Sequence, residues 1–124
     1  MESILIVDDE EHILDLYEKE FTEEGYKVRI ARNSTQALEI AEKEKINLVI
    51  LDIKLEGEES GLKTLSLLKK RNKDLPVILN SAYSTFKNNF QTWLADDYLV
   101  KSSNLKEIKG KIRDLLRGCN ESQK

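Results

Sequence analysis

Asp8, Asp9 and Glu10 follow directly on the apolar run Ile4-Leu5-Ile6-Val7, and Asp52 follows directly on Leu48-Val49-Ile50-Leu51. Ser81 stands just beyond Val77-Ile78-Leu79, and Lys101 just beyond Tyr98-Leu99-Val100. Carboxylates held within a few ångströms of each other repel unless protons or a cation intervene. An all-oxygen cluster suits a hard divalent ion, and Mg²⁺ typically takes one or two carboxylates, keeps waters and shares phosphate oxygens. In such a setting a carboxylate can attack phosphorus without a general base. An ammonium can offset charge on the equatorial oxygens, and a hydroxyl can donate to the attached phosphoryl group. Taken together, the residue types fit phosphoryl transfer.

Taken singly, each residue has a plainer role. Asp8 or Asp9 could cap a following helix, Ser81 could occupy a turn, and Lys101 could be a solvated charge. Asp52 is different, because a charge that ends a wholly apolar run is costly unless something pairs with it. The conjunction carries the argument: every apolar block expected to face one crevice ends in a group suited to the same reaction.

The blocks themselves read as strands. Four are unbroken apolar runs rich in β-branched residues, as in strands buried on both faces of a parallel sheet. Val28-Arg29-Ile30 alternates, as expected nearer an edge. Between them the period changes to that of helices. Ile13, Leu14, Tyr17 and Phe21 form one stripe, stopped at Gly25. Ala37, Leu38 and Ala41 form a second, capped by Asn33 or Ser34. Leu62, Leu65 and Leu68 form a third, and Leu105, Ile108, Ile112 and Leu115 the last, with Ser103 or Asn104 at its start. The segment Ser84 to Leu94 keeps helical spacing at Phe86, Phe90 and Trp93, but Asn88-Asn89 lowers its propensity. Five strand–helix units with right-handed crossovers predict one doubly wound α/β domain. Residues 1–118 form the domain and 119–124 a frayed tail. In such folds ligands bind outside the carboxyl ends of the strands, where these reactive residues fall.

Composition narrows the class. The 124 residues carry 20 Lys+Arg against 23 Asp+Glu, and no basic block suits a direct nucleic-acid partner. No apolar run approaches the roughly 20 residues that span a bilayer, and no basic leader precedes Ile4, so a cytoplasmic location is expected. Cys119 stands alone, which excludes an internal disulfide.

The segments ILIVDDEEHIL, INLVILDIKLEG, PVILNSAYS and ADDYLVK resemble the receiver domain of two-component response regulators over nearly the whole chain. The resemblance implies a flavodoxin-like strand order 2-1-3-4-5. It also implies a phosphoacceptor at Asp52, with Mg²⁺ (or Mn²⁺) held by Asp8, Asp9, Asp52 and the backbone carbonyl of Lys54. Ser81 and Tyr98 match the family's switch pair, and Lys101 its lysine. The implied partners are a histidine kinase or histidine phosphotransfer protein as donor and an unidentified protein downstream, the chain acting as a monomer or a phosphorylation-dependent dimer. Phosphotransfer and dephosphorylation would be self-catalysed, not enzymatic turnover of a free substrate. A stand-alone receiver is expected, and the polar GCNESQK ending fits a natural terminus or a cut from a longer chain equally.

Departures from the family pattern are Glu56 in place of a proline, a Glu56–Gly61 loop one residue longer, Ser102 in place of a proline, and a Ser81–Lys101 stretch about two residues shorter. Lys54 and Tyr83, two positions beyond the acceptor and the switch serine, border the expected path of hydrolytic water and would lengthen the phosphorylated lifetime. His12 reads as a surface histidine, Phe90 and Trp93 as packing residues, Cys119 as inert, and Glu39 to Lys45 as a solvated face. Two other classes compete: a phosphorylation-independent interaction module, and a flavodoxin-like cofactor binder or metal-dependent phosphohydrolase. Against the last, no phosphate-binding loop follows the first strand, and Lys54 stands where a second acid would serve.

Overall fold

The computed structural model describes residues 1–55, 60–82, 95–101 and 104–121. Five strands, β1 (Ser3–Val7), β2 (Lys27–Ala31), β3 (Leu48–Leu51), β4 (Val77–Ser81) and β5 (Asp97–Val100), form one sheet. Its order is β2-β1-β3-β4-β5, as the family resemblance implies, and every neighbouring pair is parallel, as the apolar runs predict. The described helices are α1 (Glu11–Glu23), α2 (Ser34–Lys43), α3 (Ser60–Arg71) and α4 (Lys106–Glu121). The expected helix over Ser84–Leu94, with Phe86, Phe90 and Trp93, lies outside the described residues, as do Glu56, Tyr83, Ser102 and Ser103. The side chain of Cys119 does too. α4 is described as far as Glu121, into the span expected as a tail. Among the described residues no helix is long and apolar enough to cross a membrane.

Alternation along the strands splits the core into two layers. Leu5, Val7, Val49, Leu51 and Leu79 face α2 and α3, where Leu65 and Leu68 meet them. Ile4, Ile6, Ile50 and Ile78 face α1 and α4, against Leu14, Phe21 and Ile112. Each such side chain, fully removed from water, contributes about 1.5–3 kcal/mol. The central strands β1, β3 and β4 are buried nearly throughout, whereas β2 and β5 are partly exposed edges. Arg29 between Val28 and Ile30 thus marks an edge strand as expected, and β5 proves to be the other edge.

Local signals set the helix ends. Gly25, at φ 99°, closes α1: its N–H donates to the Thr22 carbonyl and the N–H of Tyr26 to that of Phe21. This paired arrangement needs a residue that tolerates positive φ. Asn33 caps α2 by accepting from the N–H of Gln36, and Asn104 accepts from the N–H of Lys106. α1 has no side-chain cap, its capping position being Glu10.

Gly61 fixes where α3 meets the sheet. Its N–H donates to the Ile53 carbonyl at 2.9 Å. A Cβ there would overlap the Asp52 carbonyl oxygen and lie 2.6 Å from the Ile53 Cα. Gly110, inside α4, has open space around its missing Cβ. Gly61→Ala should therefore destabilise the fold by about 2 kcal/mol or more, as overpacking against backbone does. Gly110→Ala should instead stabilise by about 0.5–1 kcal/mol through helix propensity. Urea unfolding of both variants checks the opposite signs.

Candidate functional site

Strand register brings the reactive residues to one edge. Val7 stands opposite Leu51, so Asp8 and Asp52 emerge side by side, and the N–H of Asp52 donates to the Val7 carbonyl at 2.9 Å. Ser81 stands opposite Val100, and the N–H of Lys101 donates to the Ser81 carbonyl at 2.7 Å. A slip of one residue in either pair would turn these side chains to the wrong face.

Asp8 and Asp52 are 2% and 6% exposed, and between them lies the Lys101 ammonium. Its Nζ is 2.7 Å from Asp8 Oδ2, 3.2 Å from Asp52 Oδ2 and 3.2 Å from Glu10 Oε1. Lys101 is therefore not a solvated charge. Nor is Asp8 a helix cap: its Oδ1 accepts from the N–H of Glu10, one residue short of α1. Ser81 is likewise no turn residue, because β4 runs two residues past its apolar block and ends on it, buried. The N–H of Lys54 donates to Asp52 Oδ1 at 3.3 Å, which places the Lys54 main chain at the pocket while its side chain faces solvent. Tyr98, half-buried, packs against the α2/α3 layer of the core. His12 is exposed and lies 3.4 Å from Glu10, as a surface histidine should.

Burial pushes the Asp8 carboxyl above its usual range, opposed by its hydrogen bond with Lys101. Asp52 is pushed up to about 6, first by burial and then by the Asp8 charge, again opposed by Lys101. Burial works against the charge on Lys101, but the carboxylates of Asp8, Asp52 and Glu10 outweigh it and hold the amine protonated well above the ordinary lysine range. One ammonium thus serves several acids.

Asp8, Asp9, Glu10 and Asp52 each offer a carboxylate oxygen, all within 4.8 Å of one another. An all-oxygen set of this size fits a hard divalent cation. Glu10, which the sequence places beside the acidic pair without a role, joins the cluster. Gly61, which keeps α3 against the Asp52 backbone, was hidden because its constraint is a contact and not a motif.

A doubly wound α/β domain with clustered carboxylates and a buried ammonium at its strand ends is equipped to hold a cation beside an anionic group. The chain belongs to the response regulator receiver domain family, whose model matches residues 4–113. It is 42% identical over 104 residues to a putative NtrX-like response regulator of Rickettsia felis, covering 82% of this chain and 22% of that protein. The chain thus spans about a fifth of that relative's length. It is 41% identical to the response regulator TrrA of Thermotoga maritima, solved in complex with Mg²⁺–BeF, with a TM-score of 0.88 over 93% of this chain and 99% of that one. A second structure holds TrrA in complex with the histidine kinase ThkA, at 41% identity and a TM-score of 0.86 over 94% and 99% of the two chains.

The raised Asp52 carboxyl gives a signed pH dependence. An acid whose folded pKa lies near 6, against an ordinary 3.8, burdens the native state when ionised. The burden is complete above about pH 6 and absent below the ordinary value. In metal-free protein, Asp52→Asn should raise Tm by a few degrees at pH 7.5, the gain shrinking as pH falls from 6 towards 4. Added Mg²⁺ should raise the wild-type Tm more than the variant's, because a native-state ligand stabilises by its affinity. Thermal melts across pH, with and without Mg²⁺, check both.

Proposed function

We propose that Asp52 accepts a phosphoryl group from the phosphohistidine of a partner histidine kinase or histidine phosphotransfer protein. The observation that carries this reading is the Lys101 ammonium joined to both Asp8 and Asp52 in a buried pocket. A carboxylate oxygen of Asp52 attacks phosphorus; the O–P bond forms as the donor's N–P bond breaks, and the imidazole nitrogen keeps the electron pair. Asp8, Asp9 and Asp52, with the Lys54 backbone carbonyl, would hold Mg²⁺ (or Mn²⁺). When bound, the metal offsets charge on the phosphoryl oxygens. Lys101, released from part of its pairing with the carboxylates, neutralises charge on the same group, and the Ser81 hydroxyl donates to it. Tyr98 changes rotamer with that movement, and the altered surface binds or releases a downstream protein. The change is a population shift between two conformations, biased by the new charge. Return to the start is hydrolysis: water attacks phosphorus, Asp52 leaves as carboxylate, and inorganic phosphate departs. This is self-catalysed modification and not turnover of a free substrate.

The domain of residues 1–118 suffices for this chemistry. Output follows through protein contact or onward transfer, as a monomer or a phosphorylation-dependent dimer, in the cytoplasm. A phosphorylation-independent interaction module is not favoured, because nothing in that role calls for a buried ammonium beside Asp8 and Asp52.

Intact-mass measurement after incubation with acetyl phosphate and Mg²⁺ tests the assignment. The wild type should gain one phosphoryl group and Asp52→Ala none; labelling of both would move the acceptor elsewhere. The lifetime of the product is set, in this reading, by Lys54 and Tyr83 shielding the acyl phosphate from water. Lys54→Asn and Tyr83→Ala should each speed its decay several-fold, followed by loss of the added mass after the donor is removed. Unchanged decay in both removes the shielding role.

A further inference from the structure

The layer of core between the sheet and helices α1 and α4, built of residues such as Ile6, Phe21 and Ile112, also holds a hydrogen-bonded polar pair. Asn80 Nδ2 donates to the Tyr17 hydroxyl at 2.7 Å, across 63 residues of sequence. Both residues are almost fully buried, at 3% and 2% exposure. Around them lie Leu99, Val100, Leu105 and Ile108, with Asn104 and Glu107 beside these. A buried hydrogen bond of this kind yields little net stability, because both groups gave up water to make it. What it supplies is direction: one arrangement of the two elements satisfies both groups, and others leave a polar atom stranded.

The elements it joins are those that carry the site. Asn80 immediately precedes Ser81, and its ladder partner Leu99 lies two residues before Lys101. Tyr17 sits on α1, whose first residue, Glu11, follows the acidic run Asp8-Asp9-Glu10. The Tyr17 hydroxyl also lies within electrostatic reach of Lys101, Asp8 and Asp52. So the bond ties the helix that leaves the acidic loop to the strand ends that present the hydroxyl and the amine. The pairs that clamp α1 to α4 further along, the partly buried Lys109–Glu20 and the exposed Arg113–Glu24, join long flexible side chains and constrain geometry less.

We propose that Tyr17 and Asn80 are positioning residues for phosphoryl transfer, their buried hydrogen bond locking α1 to the end of β4 so that Ser81 and Lys101 face Asp8 and Asp52 in reactive geometry. This rests on Asp52 being the acceptor. In this role the pair acts through Ser81 and Lys101.

The test separates positioning from stability. Tyr17→Phe and Asn80→Leu each strand one buried polar group, whereas Tyr17→Phe/Asn80→Leu removes both and should regain a Tm close to that of the wild type. For each protein the rate of labelling by acetyl phosphate with Mg²⁺ is measured by intact mass, alongside affinity for Mg²⁺–beryllofluoride. The double variant should recover stability yet label roughly tenfold more slowly and bind beryllofluoride more weakly, as sub-ångström misplacement of reacting groups does. Should the double variant not fold, Tyr17→Phe, which deletes a single oxygen, should show the slower labelling by itself. Wild-type labelling and affinity in the double variant, or in Tyr17→Phe, would overturn the proposal. If wild type itself fails to label, the acceptor assignment falls, and the positioning role with it.

Discussion

Among the described residues, the Lys101 ammonium set within a cluster of four carboxylates is the constraint on which the pocket depends. Lys101 reaches Asp8, Asp52 and Glu10 at once, and Asp9 adds a fourth acid to the same cluster. One positive charge cannot neutralise this set, and burial of Asp8 and Asp52 deprives them of the water that would otherwise screen them. The result shows in the carboxyls themselves, both raised despite a lysine at hydrogen-bond distance. A buried pair of this kind is weak evidence for stability, because desolvation of the ions offsets their attraction. The pocket is better understood as a place where clustered negative charge can meet a cation, at some expense to the resting fold.

That expense is sustainable because the rest of the sheet is conventional. β1, β3 and β4 are buried on both faces by branched aliphatic residues, and the two core layers surround them. Parallel strands finish on the same edge, so one register brings positions 8, 52, 81 and 101 together without any contact between them in sequence. Lys101 follows directly on the edge strand β5 and must reach back across β4 and β3 to Asp8, which asks for a long side chain with an apolar stem and a charged tip.

Much of this was legible in the residues. Unbroken runs such as Leu48–Leu51 announced buried parallel strands, Arg29 inside β2 announced an edge, and Gly25 announced the end of α1. The carboxylates were legible because each follows an apolar run, and the family resemblance supplied the strand order. What stayed hidden depends on contacts between distant segments. Gly61 looks like an ordinary loop-to-helix glycine until the Asp52 and Ile53 backbone is placed against it. Asn80 looks like the first polar residue after a strand, yet it is a buried strand residue whose partner lies 63 positions away. The depth of Lys101 is likewise a property of the assembled edge, not of the LVK segment.

The distribution of buried polarity ties these points together. Among the described residues, the buried polar side chains are Asp8, Asp52, Thr64, Asn80 and Ser81. Thr64 shares a hydrogen bond with Ser34 between α2 and α3. The other four lie at the carboxyl ends of β1, β3 and β4, where β5 also delivers Lys101. Apolar packing elsewhere is tolerant of small shifts, because it is non-directional and close to additive in area. Hydrogen bonds and charges are directional and punish displacement. By gathering most of the buried ones among the described residues at one end of three adjacent strands, the fold leaves the rest of the sheet as an apolar platform and makes that end sensitive to a change in charge. The chemistry proposed for Asp52 would then bear on a few residues at once, since whatever alters the charge at Asp52 alters the directional contacts of Lys101 and Asp8 beside it.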